Sequence, residues 1–333
     1  MNPLLTIIIV NYKTAHLVLD CIKSIQHFSQ NAFEIIVMDN ASDDNIENLL
    51  SANFPRVQFL QTGYNAGFAR ANNAAIKISN APAILLLNSD TIILENAVEQ
   101  CYKNLMASSY VAAGVQLLNA DGSPQISGNF AMKGGLNYLL PLPVLGSFFK
   151  WLATIFGVKK TNVPEAKSLT EVDWINGAFL MVKKDAIEKA GMLDEDFFLY
   201  FEEAEWCSRL RKQGRLCIFG DLHVTHLQGE SSGEAFASQS KGYYDLSDKK
   251  GFQIMLSCFL RIRKEFGAGW MLFLYFFYVI NIPVYFLGFL FNSITGKVKE
   301  NFFRWYGFTK NVLRILAYLP RIILGKPWFY KVL

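Results

Sequence analysis

A carboxylate at the end of an apolar run is the first chemistry this chain offers. Leu85 to Ile93 reads LLLNSDTII, an aliphatic run that stops at Asn88, Ser89 and Asp90. A buried strand ending in an acid presents that acid at the carboxyl edge of an α/β sheet, where such folds bind ligands. Asp90 is therefore a candidate metal ligand. The same three residue types also favour turns and helix caps, so the tripeptide alone decides nothing. Further polar groups follow other apolar runs: Asn11 after Leu5 to Val10, and DNASDD, Asp39 to Asp44, after Phe33 to Met38. Farther along come the acids Glu202, Glu203 and Glu205, and then His223 and His226.

The elements that must position these groups follow from periodicity. Leu5 to Val10 reads as a buried strand, Leu17 to Phe28 as a helix, Phe33 to Met38 as a second strand and Val57 to Gln61 as a third. GYNAGFARANNAAI, Gly63 to Ile76, turns into a helix, and Ala83 to Leu87 is the strand that carries Asp90. Alternating strands and helices predict a mostly parallel sheet with helices on its faces. NAGFARA is no dinucleotide fingerprint, because its spacing is wrong and it follows the third strand, not the first. Val172 to Gly191 is a strand and short helix, and within Met192 to Gly214 the acids Glu202, Glu203 and Glu205 sit at the front of a helix with Arg209, Arg211 and Lys212 near its end, as the helix dipole favours.

The bulk numbers fit an enzyme with an appendage. The 333 residues are 52% apolar and 14% aromatic, and most of the apolar surplus falls after Gly267. The five cysteines form no CxxC pair, which favours a reducing compartment. MNPLLTIIIVNYK lacks the basic start of a signal peptide and reads as a first strand.

Taken together, the strand with VMDNASDD, then NAGFARANN, LLLNSD, WINGAF with FEEAEWCSRLRKQG, and HVTHLQGESSG resemble family 2 inverting glycosyltransferases of the GT-A fold, in particular the bacterial rhamnosyltransferase-like branch. These motifs cover roughly residues 4 to 233. The resemblance implies a Rossmann-like α/β domain over 1–265. It implies that Asp39 contacts the nucleotide base, with Asn11, Asn65, Gly67 and Arg70 around the nucleotide sugar and Asn88, Trp174, Asn176 and Gly177 beside donor and acceptor. Asp90 and His226 would hold Mg²⁺ or Mn²⁺ against the diphosphate. Glu203 would be the base, with Glu202 and Glu205 as alternatives.

The C-terminal region, 266–333, reads as a membrane-associated helical appendage. Trp270 to Phe291 carries no charge, long enough for a span. Basic residues flank it on both sides, and Asn281 and Pro283 interrupt it, so an apolar hairpin over 270–294 fits as well as a span. A basic amphipathic helix is expected over 300–325, lying on anionic lipid. LNYLLPLPVLGSFFKWLATIFGVKK, Leu136 to Lys160, is either a lid on the core or an interfacial segment.

The expectation is a metal-dependent inverting transferase at the cytoplasmic face of the plasma membrane. It would move a sugar, first of all rhamnose from dTDP-rhamnose, from a nucleotide-diphospho-sugar to a polyprenyl-diphosphate-linked glycan in O-antigen or capsule synthesis, with an anionic membrane surface and no nucleic acid as partner. A UDP-hexose donor stays open. So does a non-catalytic assembly protein that keeps the fold, because Asn88 stands where the family has an acid and Glu203 where most relatives have Asp.

Overall fold

Aliphatic runs too short and too dry for anything but buried strands build the first half of the chain. The elements are β1 (Thr6–Asn11), α1 (Ala15–Phe28), β2 (Glu34–Asp39), α2 (Ile46–Asn53), β3 (Gln58–Gln61), α3 (Gly67–Ile78) and β4 (Ala83–Asn88). After them come β5 (Thr91–Ile93), α4 (Ala97–Ala107), β6 (Ala112–Leu118), β7 (Gly128–Asn129), α5 (Leu145–Ile155) and β8 (Asn162–Val163). The series closes with β9 (Leu169–Val172), β10 (Trp174–Ile175), β11 (Phe179–Lys183), α6 (Lys184–Ala190), α7 (Glu202–Leu210) and β12 (Leu216–His226). The structure, a computed structural model, describes residues 3–29, 33–227, 245–294 and 302–332. The Gly/Ser-rich stretch with Ser231 and Ser232, and the basic flank with Lys297 and Lys299, lie outside the described residues.

The described residues group into two units, one of 3–130, 162–198 and 202–227, the other of 131–161, 199–201 and 245–332. In the first, a nine-stranded sheet runs β3-β2-β1-β4-β11-β6-β12-β5, with β9 beside β12. The β3 to β4 side is parallel throughout. Beyond it β11 is antiparallel to both neighbours, so the expected parallel sheet becomes mixed in its second half. A short second sheet, β10-β7-β8, completes the unit.

Strand alternation sorts the core into two layers. Ile7, Ile9, Val37, Leu85 and Leu87 pack with Val18, Ile22 and Leu105 of α1 and α4. Ile8, Ile36, Ile84 and Leu86 pack on the other face with Ala69, Ala75, Trp206 and Leu210 of α3 and α7. Each fully buried Ile or Leu contributes about 1.5–3 kcal/mol, so both faces of β1 and β4 are fixed and no one-residue slip is tolerated. That register carries the site. Asn11 pairs with Asp39 across β1 and β2, and Val10 with Asn88 across β1 and β4. Three polar strand ends therefore share one edge.

Gly67, at the start of α3, is required by geometry. Its φ is +75°, and a Cβ there would overlap the carbonyl of Phe198, which accepts the Phe68 amide at 3.0 Å. Gly67→Ala is expected to destabilise the protein by at least ~2 kcal/mol. A lowered urea midpoint at constant slope is the readout, and an unchanged midpoint would contradict this account.

The second unit is helical. Asp248 caps the Lys249–Phe266 helix by accepting the Gly251 amide at 2.7 Å, and Gly267, with φ +95°, ends it. The Ala268–Ile294 helix follows, unbroken. The hairpin expected around Asn281 and Pro283 does not form. Proline removes one N–H from the ladder. Packing holds the two halves in line: Tyr278 and Tyr285, one on each side of Pro283, both pack on Phe308, and the Trp305 indole donates to the Ile282 carbonyl at 3.0 Å. Downstream, the expected basic helix over 300–325 is divided into Phe302–Ile315 and Leu319–Leu324, with Pro320 in the first turn of the second piece. Leu136 to Lys160 contributes α5 and a 3-10 turn to this unit.

Candidate active site

At the β1–β2 edge Asn11 and Asp39 are fully buried. The Asn11 amide donates to Asp39 Oδ1 at 2.9 Å and to Asp44 Oδ2 at 3.0 Å, while its Oδ1 accepts from Thr14. Asp39 Oδ2 accepts from the Ser42 backbone at 3.0 Å and from Gln61 at 3.2 Å. These bonds shape the DNASDD loop, so Asp39 acts on the loop as well as facing the edge. Asn40 ties the same edge to the next segment, accepting from the Ala66 amide and donating to the Gly67 carbonyl at 3.1 Å. Asn65 turns the chain into α3 by accepting the Gly67 amide, and Arg70 donates to the Glu195 carbonyl at 3.0 Å and to the Tyr64 hydroxyl at 3.4 Å.

The antiparallel pairing of β5 with β12 sets His226 opposite Thr91. His226 Nε2 thereby lies 3.4 Å from Asp90 Oδ1, and the Leu227 amide donates to the Asp90 carbonyl at 2.9 Å. Both side chains are buried. Sequence reasoning missed the residue that aims the histidine. Gln125 meets His226 Nδ1 through its Oε1 at 2.9 Å and donates its Nε2 to the His226 carbonyl at 2.6 Å. With Nδ1–H given to Gln125, Nε2 keeps its lone pair and points it at Asp90, the arrangement metal-binding histidines use. His223, three residues back, is exposed and lies on the opposite strand face.

Across the edge, the Asn88 amide donates to the Ala178 carbonyl at 3.0 Å, which brings Asn176 and Gly177 to the strand end that precedes Asp90. Asn176 accepts from the Ala178 amide and donates to the Ile126 carbonyl. Gly177 lies against Glu203: a Cβ on it would be 3.3 Å from Glu203 Cγ. Trp174 pairs with Asn129 in the short sheet. Its indole N–H and the Asn129 Oδ1 are buried with no hydrogen-bond partner among the described residues, a donor and an acceptor that a substrate hydroxyl could use. Asn129, like Gln125, gave no signal in the sequence.

The three acids of α7 have different fates. Glu205 is committed to Arg209, whose guanidinium reaches its two oxygens at 2.7 and 2.8 Å and also donates to the Ala190 carbonyl. Glu202 is buried with Oε2 unpartnered among the described residues. Burial, and then the Glu203 charge, push its carboxyl well above the usual carboxylate range. Glu203 alone is half-buried. Tyr200 and Phe201, immediately before the acids, have φ of 72° and 70°, the strained left-handed region that bulky residues occupy where surrounding structure enforces it.

The Glu202 shift has a sign that can be tested. A pKa higher in the folded chain than its unfolded value of about 4.3 means the folded state holds the extra proton. Its contribution to stability is full below that value and is lost as pH rises through the folded pKa. Glu202→Gln should flatten the fall in urea midpoint with rising pH and raise the midpoint at neutral pH. Parallel profiles for the two proteins would refute the assignment.

Residues 6–135, which carry the Asn11, Asp39, Asp90 and Gln125 positions, match the glycosyl transferase family 2 domain. The chain carries a family 2 glycosyltransferase domain. The low-salt glycan biosynthesis hexosyltransferase Agl10 of Haloferax volcanii is 27% identical over 213 residues, 63% of this chain and 62% of that protein's length. The N-acetylglucosaminyl-diphospho-decaprenol L-rhamnosyltransferase of Mycobacterium tuberculosis is 23% identical over 260 residues, 73% of this chain and 82% of its own. Among solved structures, GalNAc-T7 with UDP, GalNAc and Mn²⁺ superposes with a TM-score of 0.51 at 10% identity, over 68% of this chain and 44% of that one. This likeness places the family 2 domain in a GT-A-like fold, and the family resemblance read from the motifs is borne out.

Proposed function

We propose that the chain transfers a sugar, with inversion, from a nucleotide-diphospho-sugar to a lipid-linked glycan, using a divalent ion held by Asp90 and His226. The observation behind this reading is the Asp90–His226 pair at the sheet edge, with Gln125 fixing the imidazole so that Nε2 is the free donor. The donor set suits Mg²⁺ or Mn²⁺. The two donor atoms lie 3.4 Å apart, so both would face one divalent ion bound between them. When bound, the ion supplies a positive charge that stabilises the diphosphate leaving group.

The chain's own residues do the rest. The Asn11, Asp39 and Arg70 segments line the nucleotide, Asn88 and Asn176 offer amides to the donor sugar, and Trp174 and Asn129 have one donor and one acceptor to spare for hydroxyls. Glu203 takes the proton from the attacking acceptor hydroxyl. Glu205, clamped by Arg209, and Glu202, buried with its carboxyl pushed upward by that burial, are less suited to that step. That hydroxyl oxygen attacks the anomeric carbon on the face opposite the diphosphate, and as the new glycosidic bond forms the bond from the anomeric carbon to the nucleoside diphosphate breaks and the diphosphate leaves.

The relative that acts on decaprenol-linked substrate supports a polyprenyl-diphosphate acceptor, and an L-rhamnosyl donor is the first choice for the same reason. The hexosyltransferase relative favours a second reading, with a UDP-hexose as donor. The cytoplasmic face of the membrane is the proposed location, and surface polysaccharide assembly the proposed role. Nucleotide release from dTDP-, UDP- and GDP-sugars, with Mn²⁺ or EDTA and lipid-linked acceptor, tests the proposal. Metal-dependent release from one donor is expected. Donor binding without release, in the presence of competent acceptor, would instead make the chain a scaffold.

A further inference from the structure

Within the second unit the Ala268–Ile294 helix is two-faced. Met271, Leu274, Tyr275, Tyr278, Asn281 and Tyr285 form a buried stripe at helical spacing. Leu272, Phe276, Val279, Leu287, Leu290 and Ile294 form an exposed stripe on the opposite side, Ile294 at 86%. Only 28% of its most apolar window is buried, so it is no ordinary core helix. By length and composition it could cross a membrane.

Its neighbours argue against crossing. The Phe302–Ile315 helix runs antiparallel along its middle: the Tyr275 hydroxyl donates to the Val312 carbonyl at 3.1 Å, and Phe289 packs on Phe302 with ring centres 6.3 Å apart. That neighbour carries Arg304, Lys310 and Arg314, all exposed. Were the long helix perpendicular to a bilayer, these three cations would sit at hydrocarbon depth, where charge is strongly disfavoured. Lying in the interface, the long helix sinks its apolar stripe while the cations stay at the headgroups.

A second element joins that surface. On α5, Phe148, Trp151 and Ile155 are exposed at helical spacing, and Phe156 beyond it is 75% exposed. An unbroken run of ring contacts, Trp151 to Phe148 to Phe149 to Phe277 to Phe273, links α5 to the long helix at centroid distances of 5.0–5.9 Å. The two exposed faces are therefore one patch. Charge identifies its occupant. The described residues of this unit hold fifteen Lys and Arg against three acids, Asp245, Asp248 and Glu265. An apolar patch on so basic a body fits an anionic bilayer, and a second copy would oppose like charge with like.

We infer that the Ala268–Ile294 helix lies in the plane of an anionic bilayer without crossing it, and that α5 inserts beside it as a second wedge. This deepens the membrane part of the proposed function but does not depend on catalysis, since its tests read binding and topology alone. The full chain should float with phosphatidylglycerol vesicles more than with phosphatidylcholine vesicles, less so as salt rises. F148S/W151S should weaken flotation on the order of tenfold with an unchanged melting profile. Flotation equal to the parent's would remove α5 from the surface. The five native cysteines are all buried, which permits a labelling test of topology. Cysteines introduced at Gly269 and Ser293, near the two helix ends, should both react with an impermeant maleimide on intact proteoliposomes. Reaction of one end only would establish a span and overturn the in-plane assignment. A lipid-free dimer that does not float would overturn the bilayer in favour of a second copy.

Discussion

Glu203→Gln is expected to lower kcat by about a thousandfold and leave donor KM within about threefold, the signature of a lost general base. The argument is one of elimination by environment. Three acids stand on the first turn and a half of α7, where the helix dipole favours carboxylates. Glu205 is held by Arg209 through both oxygens, so its removal should show first as lost stability. Glu202 is buried, and that burial pushes its carboxyl well above the usual carboxylate range, so Glu202→Gln should retain activity. Glu203 rests on Gly177, where the missing Cβ leaves room for its stem. Single-turnover rates with donor and acceptor both saturating separate chemistry from binding. Activity retained in Glu203→Gln and lost in Glu202→Gln would reverse the assignment. Glu203→Asp, one methylene shorter, is the further control: it restores the family's usual acid and should keep a measurable fraction of the rate.

Asp90→Asn should abolish metal-stimulated transfer, by at least about a hundredfold, while leaving the fold intact, because the amide is isosteric but contributes no charge to a hard cation. His226→Ala removes the second donor. Gln125→Ala should weaken Mn²⁺ binding by about 10–100-fold, the usual cost of losing the partner that orients a histidine ligand. Titration of free Mn²⁺ by EPR reads all three without relying on turnover. The graded order is diagnostic. A structural role for Gln125 alone would lower the melting temperature without changing Mn²⁺ affinity, whereas the His226 Nδ1 contact at 2.9 Å predicts an affinity change. Equal Mn²⁺ affinity in the parent and Asp90→Asn would remove Asp90 as a ligand.

Local pattern determined a large part of this protein. The apolar runs of β1, β2 and β4 each end in a polar residue, so these strands and their polar carboxyl ends were legible from composition and periodicity. The motifs around Asp39, Asp90 and Glu203 carried the family. The length and dryness of the Ala268–Ile294 helix were equally plain.

What the sequence left open is set by contacts between distant segments. Gln125 and His226 are 101 residues apart and meet because β12 pairs with β5 and β6; nothing in SPQISGN announces it. The acids at 202, 203 and 205 look alike along the chain, and only the reach of Arg209, the burial of Glu202 and the bare Gly177 tell them apart. The same holds at Pro283, where a sequence rule predicts a break and the helix runs on unbroken, with Tyr278 and Tyr285 on either side both packed on Phe308. Periodicity and strand ends are properties of neighbouring residues, so the sequence settles them. The environment of a side chain depends on strand register and helix packing, so only the tertiary structure decides how the three carboxylates of α7 differ in burial and pairing and which histidine nitrogen faces Asp90.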